Sequence, residues 1–254
     1  MLVLENIVKT FNRGGHAVRA VDDVSLTIQN GEILGLVGES GCGKSTLSRI
    51  IMQLLPPSSG RILMDDVDLT TLSSREVRAR RLDFQMVFQD PYASLNPRMT
   101  VYSTLAEALS QRHPYLGKEN LTAHVQVLLE KVGLNPAQMR KYPHEFSGGQ
   151  RQRIAIARAL ATEPRLIIAD EPVSALDVSV QSQILNLLRG LQKDLGLTML
   201  FISHDLSVVH YLADRIAVMH RGRIVESGPA SKVFSSPEHA YTQTLLAAIP
   251  KIAS

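Results

Sequence analysis

Between positions 38 and 45 the chain reads Gly-Glu-Ser-Gly-Cys-Gly-Lys-Ser, which fits G-x-x-x-x-G-K-[ST] at every fixed position. Each residue type has a physical task. Glycines let successive backbone N–H groups turn inward as a nest for an anion. A helix beginning at the lysine offers its unpaired N–H groups and the positive end of its dipole to phosphates. Lys44 brings a point charge for the β- and γ-phosphates, and the Ser45 hydroxyl brings a ligand for Mg²⁺. The expected nucleotide-binding stretch is therefore Gly38, Glu39, Ser40, Gly41, Cys42, Gly43, Lys44, Ser45 and Thr46. The spacing says nucleoside triphosphate; it says neither which one nor what its hydrolysis drives. A thiol beside a helix N-terminus can be reactive, but Cys42 reads first as a small residue facing outward from the loop.

Two further segments could complete such a site. Leu166-Ile167-Ile168-Ala169 is an apolar run that ends in Asp170-Glu171. Adjacent acids at the end of a buried strand are costly without a metal or water to meet them. Asp170 is placed to reach the Mg²⁺ shell, and Glu171, one step beyond, to polarise an attacking water. In Phe146-Ser147-Gly148-Gly149-Gln150 the serine is a good helix N-cap. The two glycines leave backbone N–H groups bare at the helix start, again an anion site. One chain thus has two phosphate-seeking helix starts. Two copies facing each other, each capping the other's γ-phosphate, is the simplest arrangement that uses both.

These residues need elements to hold them. Alternating apolar residues predict strands over 2–11 and 20–28, joined through an Asn12-Arg13-Gly14-Gly15 turn. Asn30-Gly31 marks another turn, and 32–37 is a short apolar strand running into the glycine loop. Helical spacing follows over 44–55, stopped by Pro56-Pro57. A hairpin is expected over 61–72, a polar helix start over 75–81 and a strand over 84–88. Residues 98–146 read as a helical lobe, amphipathic around 121–132, and 148–162 as a helix. The apolar runs 166–169 and 199–202, with a helix over 179–195 between them, form a βαβ unit of a parallel sheet. A hairpin around Arg221-Gly222 and a helix running toward 254 close the chain.

The composition bounds the rest. With 254 residues, 44% hydrophobic and 20% charged, the chain suits one α/β domain with an ordinary solvated surface. A net charge of +3 is too small to argue for nucleic acid. A single cysteine excludes an intramolecular disulfide and suits a reducing compartment. The opening residues lack a secretory pattern, and no run approaches the roughly 18 apolar residues of a spanning helix. Contact with a membrane is expected through partner proteins or a surface patch.

In their order along the chain these segments resemble the motifs of ABC ATPases. Ser147-Gly148-Gly149-Gln150 followed by Arg151 is similar to that family's signature motif. The resemblance implies ATP and Mg²⁺ as ligands. It implies that Phe11 stacks on adenine, and that Gln89, at the end of FQMVFQ, is the Q-loop glutamine. That residue would serve the Mg²⁺ site and catalysis and touch the membrane partner. Ser174-Ala175-Leu176-Asp177 resembles the D-loop, which crosses the dimer interface, and His204 in ISHD the switch histidine, which contacts the γ-phosphate. The implied catalytic residues are Glu171, His204 and Gln89, and the implied metal ligands Ser45, Gln89 and Asp170. Ser147, Gly148, Gly149, Gln150 and Asp177 join Phe11 and the glycine loop at the nucleotide.

The implied fold is α/β: a P-loop NTPase core with a mostly parallel sheet, an N-terminal antiparallel β subdomain and an inserted small helical subdomain. It reads as one ATPase domain over 1–254, with 1–88 and 163–254 as nucleotide-binding core and about 89–162 as Q-loop, helical subdomain and signature helix.

The stretch from Gln89 to Met99 and the tail from Ser236 to Leu246 are similar to the peptide/nickel importer branch. Relatives there usually read His-Pro-Tyr-Thr where this chain has His239-Ala240-Tyr241-Thr242. Many carry a C-terminal cysteine cluster; with none after Cys42, an iron–sulfur cluster is not expected. The resemblance implies a second ATPase subunit, in a heterodimer ahead of a homodimer. It also implies two transmembrane permease subunits, an extracytoplasmic substrate-binding protein and a peripheral place on the cytoplasmic face of the bacterial inner membrane. Nucleic acid is not expected as a partner. Cargo is selected by the other components, so dipeptides, oligopeptides and nickel stay open. The alternative is a non-transport ABC ATPase of DNA-repair or translation type. Such chains usually carry a coiled coil or zinc insertion between Gln89 and Ser147, or two cassettes, and this sequence has neither.

Overall fold

The computed structural model describes residues 1–13 and 16–248. Gly14-Gly15 of the expected first turn, and the end of the expected C-terminal helix, lie outside them. Strand β1 (Leu2–Arg13) pairs antiparallel with β2 (His16–Ile28), from Leu2 opposite Ile28 to Arg13 opposite His16. Strict alternation would turn Asn6 inward after Leu2 and Leu4. A left-handed kink at Asn6 (φ 50°), matched by one at Asp23 (φ 57°), skips a residue on each strand. Ile7 and Val24 are buried instead, and the Asn6 amide donates to the Asp23 carboxylate at 2.8 Å.

Next come β3 (Ile33–Val37), buried along its whole length, and α1 (Lys44–Ile51). The helix stops short of the expected 55. Gln53 turns left-handed at φ 53°, and the N–H groups of Leu54 and Leu55 both return to the carbonyl of Arg49. The chain thus turns before it reaches Pro56. Strands β4 (Ser59–Met64) and β5 (Val67–Asp68) form the expected hairpin across Asp65 and Asp66. Both turn residues are left-handed (φ 47° and 65°), as the twist of a two-residue hairpin requires. Helix α2 (Ser74–Arg80) follows.

Strand β6 (Phe84–Val87) leads into a short helix, α3 (Pro91–Ser94), then α4 (Val101–Arg112) and α5 (Lys118–Lys131). The expected helical lobe is thus two α-helices followed by two 3₁₀ turns, Pro136–Arg140 and Pro143–Glu145. Helix α6 (Gly148–Leu160), β7 (Leu166–Asp170) and α7 (Val178–Leu195) come next. Helix α7 buries Ile184, Leu185, Leu188 and Leu191 along one face, each contributing about 1.5–3 kcal/mol of burial. It ends at Gly196 in the left-handed conformation.

Strand β8 (Thr198–Ser203) is followed by α8 (Leu206–Leu212), a helix outside the elements expected from the sequence. Its signal is Asp205, whose carboxylate accepts from the N–H groups of Ser207 and Val208 at 2.8 and 3.4 Å. Strands β9 (Arg215–His220) and β10 (Arg223–Pro229) form the expected hairpin, and α9 (Ala230–Ser235) and α10 (Ala240–Ala247) follow.

The chain separates into two compact units, residues 1–78 with 198–254, and residues 79–197. The first holds the antiparallel sheet β2-β1-β4-β5 and the strand order β10-β9-β3-β8, in which β9, β3 and β8 run parallel. The second holds the parallel pair β6 and β7 with helices α3 to α7.

Candidate functional site

In the first unit, β3 and β8 are aligned with Val37 opposite Ser203. The glycine loop, starting at Gly38, and His204 therefore leave the sheet side by side at its C-terminal edge, where α/β sheets bind ligands. At Gly43 the backbone is left-handed (φ 115°), and a Cβ would lie 2.2 Å from the carbonyl oxygen of Ala20 on β2. Only glycine passes there.

That tight course folds the loop over Lys44, whose side chain is buried (4% exposed). Its Nζ donates to the carbonyls of Gly38 at 2.6 Å and Glu39 at 2.9 Å, with Cys42 Sγ at 3.9 Å. These acceptors are neutral. They satisfy the donors and leave a buried positive charge to be met by an anion. A triphosphate placed over the start of α1 fits that requirement.

Burial pushes the Cys42 thiol above its ordinary value, against the pull of Lys44. The side chain is buried beside Lys44 and does not face outward from the loop as its sequence position suggests. The loop is fixed from outside as well. The N–H of Gly222, in the β9–β10 turn, donates to the Cys42 carbonyl at 2.9 Å, and the N–H of Glu39 donates to the Tyr241 hydroxyl at 3.0 Å. Ser40, Gly41 and Ser45 are exposed and Thr46 is half-buried. Phe11 lies on β1 opposite Val18, 37% exposed, with Lys9 Nζ 5.5 Å from its ring centre.

In the second unit, β6 and β7 run parallel with Val87 opposite Ala169. Gln89, exposed, and Asp170, half-buried, lie together at the C-terminal end of this pair. Glu171 is held left-handed at φ 49°, a conformation costing a branched-chain-free residue about 1 kcal/mol. The turn that imposes it is closed by Ser174, whose N–H and hydroxyl both donate to the Glu171 carbonyl, at 3.3 and 3.1 Å. Strain kept by surrounding bonds is frequent where a side chain must be aimed.

Ser147 caps α6 in a reciprocal box with Gln150. Its hydroxyl accepts from the Gln150 N–H at 3.4 Å, and the Gln150 side chain accepts from the Ser147 N–H at 3.0 Å. A Cβ on Gly148 would reach Leu176 at 3.4 Å, so this helix start and the segment ending in Asp177 lie together. A Cβ on Gly149 would lie 2.4 Å from Val180 on α7. Asp177 stands at the N-cap position of α7, makes no side-chain capping bond and is exposed, with Val178 beside it 78% exposed.

Arg151 has a part that its place after the glycines did not suggest. Its guanidinium donates to the carbonyls of Pro143 (2.6 Å) and His144 (3.3 Å) and stacks 3.6 Å over the Tyr92 ring. It thus ties the start of α6 to the segment just after Gln89. Tyr92 is distant in sequence, and no local spacing announces that contact.

Residues 21–174 match the family model described as ABC transporter, and residues 225–254 the model described as oligopeptide/dipeptide transporter, C-terminal region. The chain is 54% identical over 233 residues to a probable peptide ABC transporter ATP-binding protein, y4tS, of Sinorhizobium fredii, covering 92% of this chain and 66% of that protein. It is 52% identical over 254 residues to the oligopeptide transport ATP-binding protein OppF of Bacillus subtilis, covering 98% of this chain and 82% of that one. Among solved structures, a dimeric, post-hydrolysis state of the ATP-binding cassette MJ0796 bound to ADP and Pi superposes with a TM-score of 0.82 at 31% identity, covering 91% of this chain and 99% of that one.

Proposed function

Since this chain belongs to the ABC transporter family, we propose that it is the ATP-hydrolysing subunit of an importer of di- or oligopeptides. The observation that carries the reading is Lys44, a buried ammonium that the glycine loop holds by neutral carbonyl acceptors. The peptide cargo is supported by the match of the C-terminal residues and by the relatives' names. Those relatives are transport subunits, so the DNA-repair and translation alternative is set aside.

The residues divide the work. The loop amides from Gly41 to Thr46 and Lys44 bind the phosphates, and Phe11 stacks on the base. Ser45, Gln89 and Asp170 are hard oxygen donors of the kind Mg²⁺ takes. Mg²⁺ held by them would supply charge neutralisation on the triphosphate. Glu171 orients the attacking water for in-line displacement, and His204 steadies the charge that develops. The facing subunit's Ser147, Gly148, Gly149, Gln150 and Asp177 cover the γ-phosphate, so nucleotide draws two subunits together. A heterodimer is the assembly we favour. It would work with two permease subunits and an extracytoplasmic binding protein, on the cytoplasmic face of the bacterial inner membrane. Among the described residues no helix is long and apolar enough to cross a membrane.

Uptake of a labelled dipeptide and of labelled nickel, in source cells lacking this chain, tests the proposal. Wild type is expected to restore dipeptide uptake and Lys44→Ala to restore none. Loss of nickel uptake alone would reassign the cargo, and persistence of both uptakes without the chain would remove the import reading.

A further inference from the structure

Beyond β10 the chain returns to the phosphate loop, and the contact it makes there is specific. The Glu226 carboxylate on β10 accepts from the N–H groups of Glu238 and His239 at 2.9 and 3.0 Å. His239 caps α10, its Nδ1 accepting from the Tyr241 N–H at 3.1 Å. The Tyr241 ring packs on His220, with centroids 3.9 Å apart and planes inclined by 37°. Each of these contacts restricts where the phenol can lie. Its hydroxyl accepts from the Glu39 N–H at 3.0 Å.

That N–H belongs to the peptide unit whose carbonyl, on Gly38, accepts from Lys44 Nζ at 2.6 Å. A peptide unit is planar and turns as one body. Tyr241 therefore grips one edge of the plate whose other edge holds the phosphate-binding ammonium. Burial pushes the Tyr241 phenol above its ordinary value, so the group stays neutral. Turning the Gly38–Glu39 peptide to release Lys44 would break the Tyr241 bond in the same motion.

We propose that Tyr241 is a positioning residue for the nucleotide site, and that its hydroxyl fixes the Gly38–Glu39 peptide and thereby the place of Lys44. The proposal rests on the reading of the loop as an ATP site. Tyr241→Phe removes the acceptor and keeps the ring on His220. Loss of one such bond predicts ATP binding about 3- to 10-fold weaker.

The experiment is a titration of the full chain with ATP and Mg²⁺, beside ATPase kinetics. Tyr241→Phe is expected to raise Kd and KM together, with kcat within about twofold of wild type. Thr244→Ala, on the exposed side of the same helix, is expected to change neither. A third measurement needs no variant: hydrogen exchange at the Glu39 amide of the wild-type chain, which is expected to be slow. If wild type does not bind ATP, the reading of the loop fails. If wild type binds and Tyr241→Phe binds equally well, or the Glu39 amide exchanges at the rate of an open loop, the positioning role is overturned.

Discussion

Glu226 shows how much a single carboxylate can hold in place. Burial pushes it up, but the bonds it accepts, those from Glu238 and His239 among them, outweigh burial and hold it below its ordinary value of 4.5. The charge of Lys232 faces it and acts in the same direction. A carboxylate whose value is lower folded than unfolded stabilises the fold above its unfolded value and loses that contribution as pH falls through the folded one. Wild type should therefore melt above Glu226→Ala at pH 6, and the difference in Tm should close progressively below about pH 4.5. A gap that persists unchanged at pH 3.5 would mean that Glu226 acts through packing and not through charge. The same residue anchors the segment that presents Tyr241, so its protonation should loosen the loop contact as well.

At the scale of elements, the start of α6 is fixed by packing as much as by any ligand. The N–H groups of Gly148 and Gly149 suit a phosphate, but Gly149 also lies where α6 touches α7. A methyl group there would sit 2.4 Å from Val180 Cγ1. Gly149→Ala should cost about 1–3 kcal/mol, as overpacking usually does, and lower Tm by about 2–10 °C. Val180→Ala removes the obstructing methyls, so the double variant should recover most of the loss. If the two effects simply add, the helices do not meet at this point. Arg151 serves the same junction differently. Its two backbone acceptors and the Tyr92 face hold the entry to α6 against α3, where the chain arrives from Gln89.

For the molecule as a whole, two phosphate-seeking helix starts in one chain argue for a paired assembly. Slowing hydrolysis should capture it. Glu171→Gln is expected to retain ATP binding and lose turnover by about 100-fold or more, the contribution of a positioned base. It should also sediment as a closed dimer with ATP, alone or with its partner subunit, and as separate subunits with ADP. Hydrolysis at the wild-type rate would take the catalytic role from Glu171. What could be read without coordinates has a common physical character. The glycine loop spans eight residues, and its shape lies in backbone turns and one buried side chain that those residues encode locally. The Ser147 N-cap is equally local, as are the apolar runs of β3, β7 and β8, buried on both faces. The Asn6 kink, the turn that ends α1 at Ile51 and helix α8 were legible less well, because alternation and helical spacing do not register a single left-handed residue or a lone Asp cap. Tertiary structure alone decided the contacts between distant parts of the chain: Tyr241 on Glu39 across 202 positions, Arg151 on Tyr92, and Val180 against Gly149. Each depends on strand register and helix packing, which bring together residues whose types carry no sign of one another.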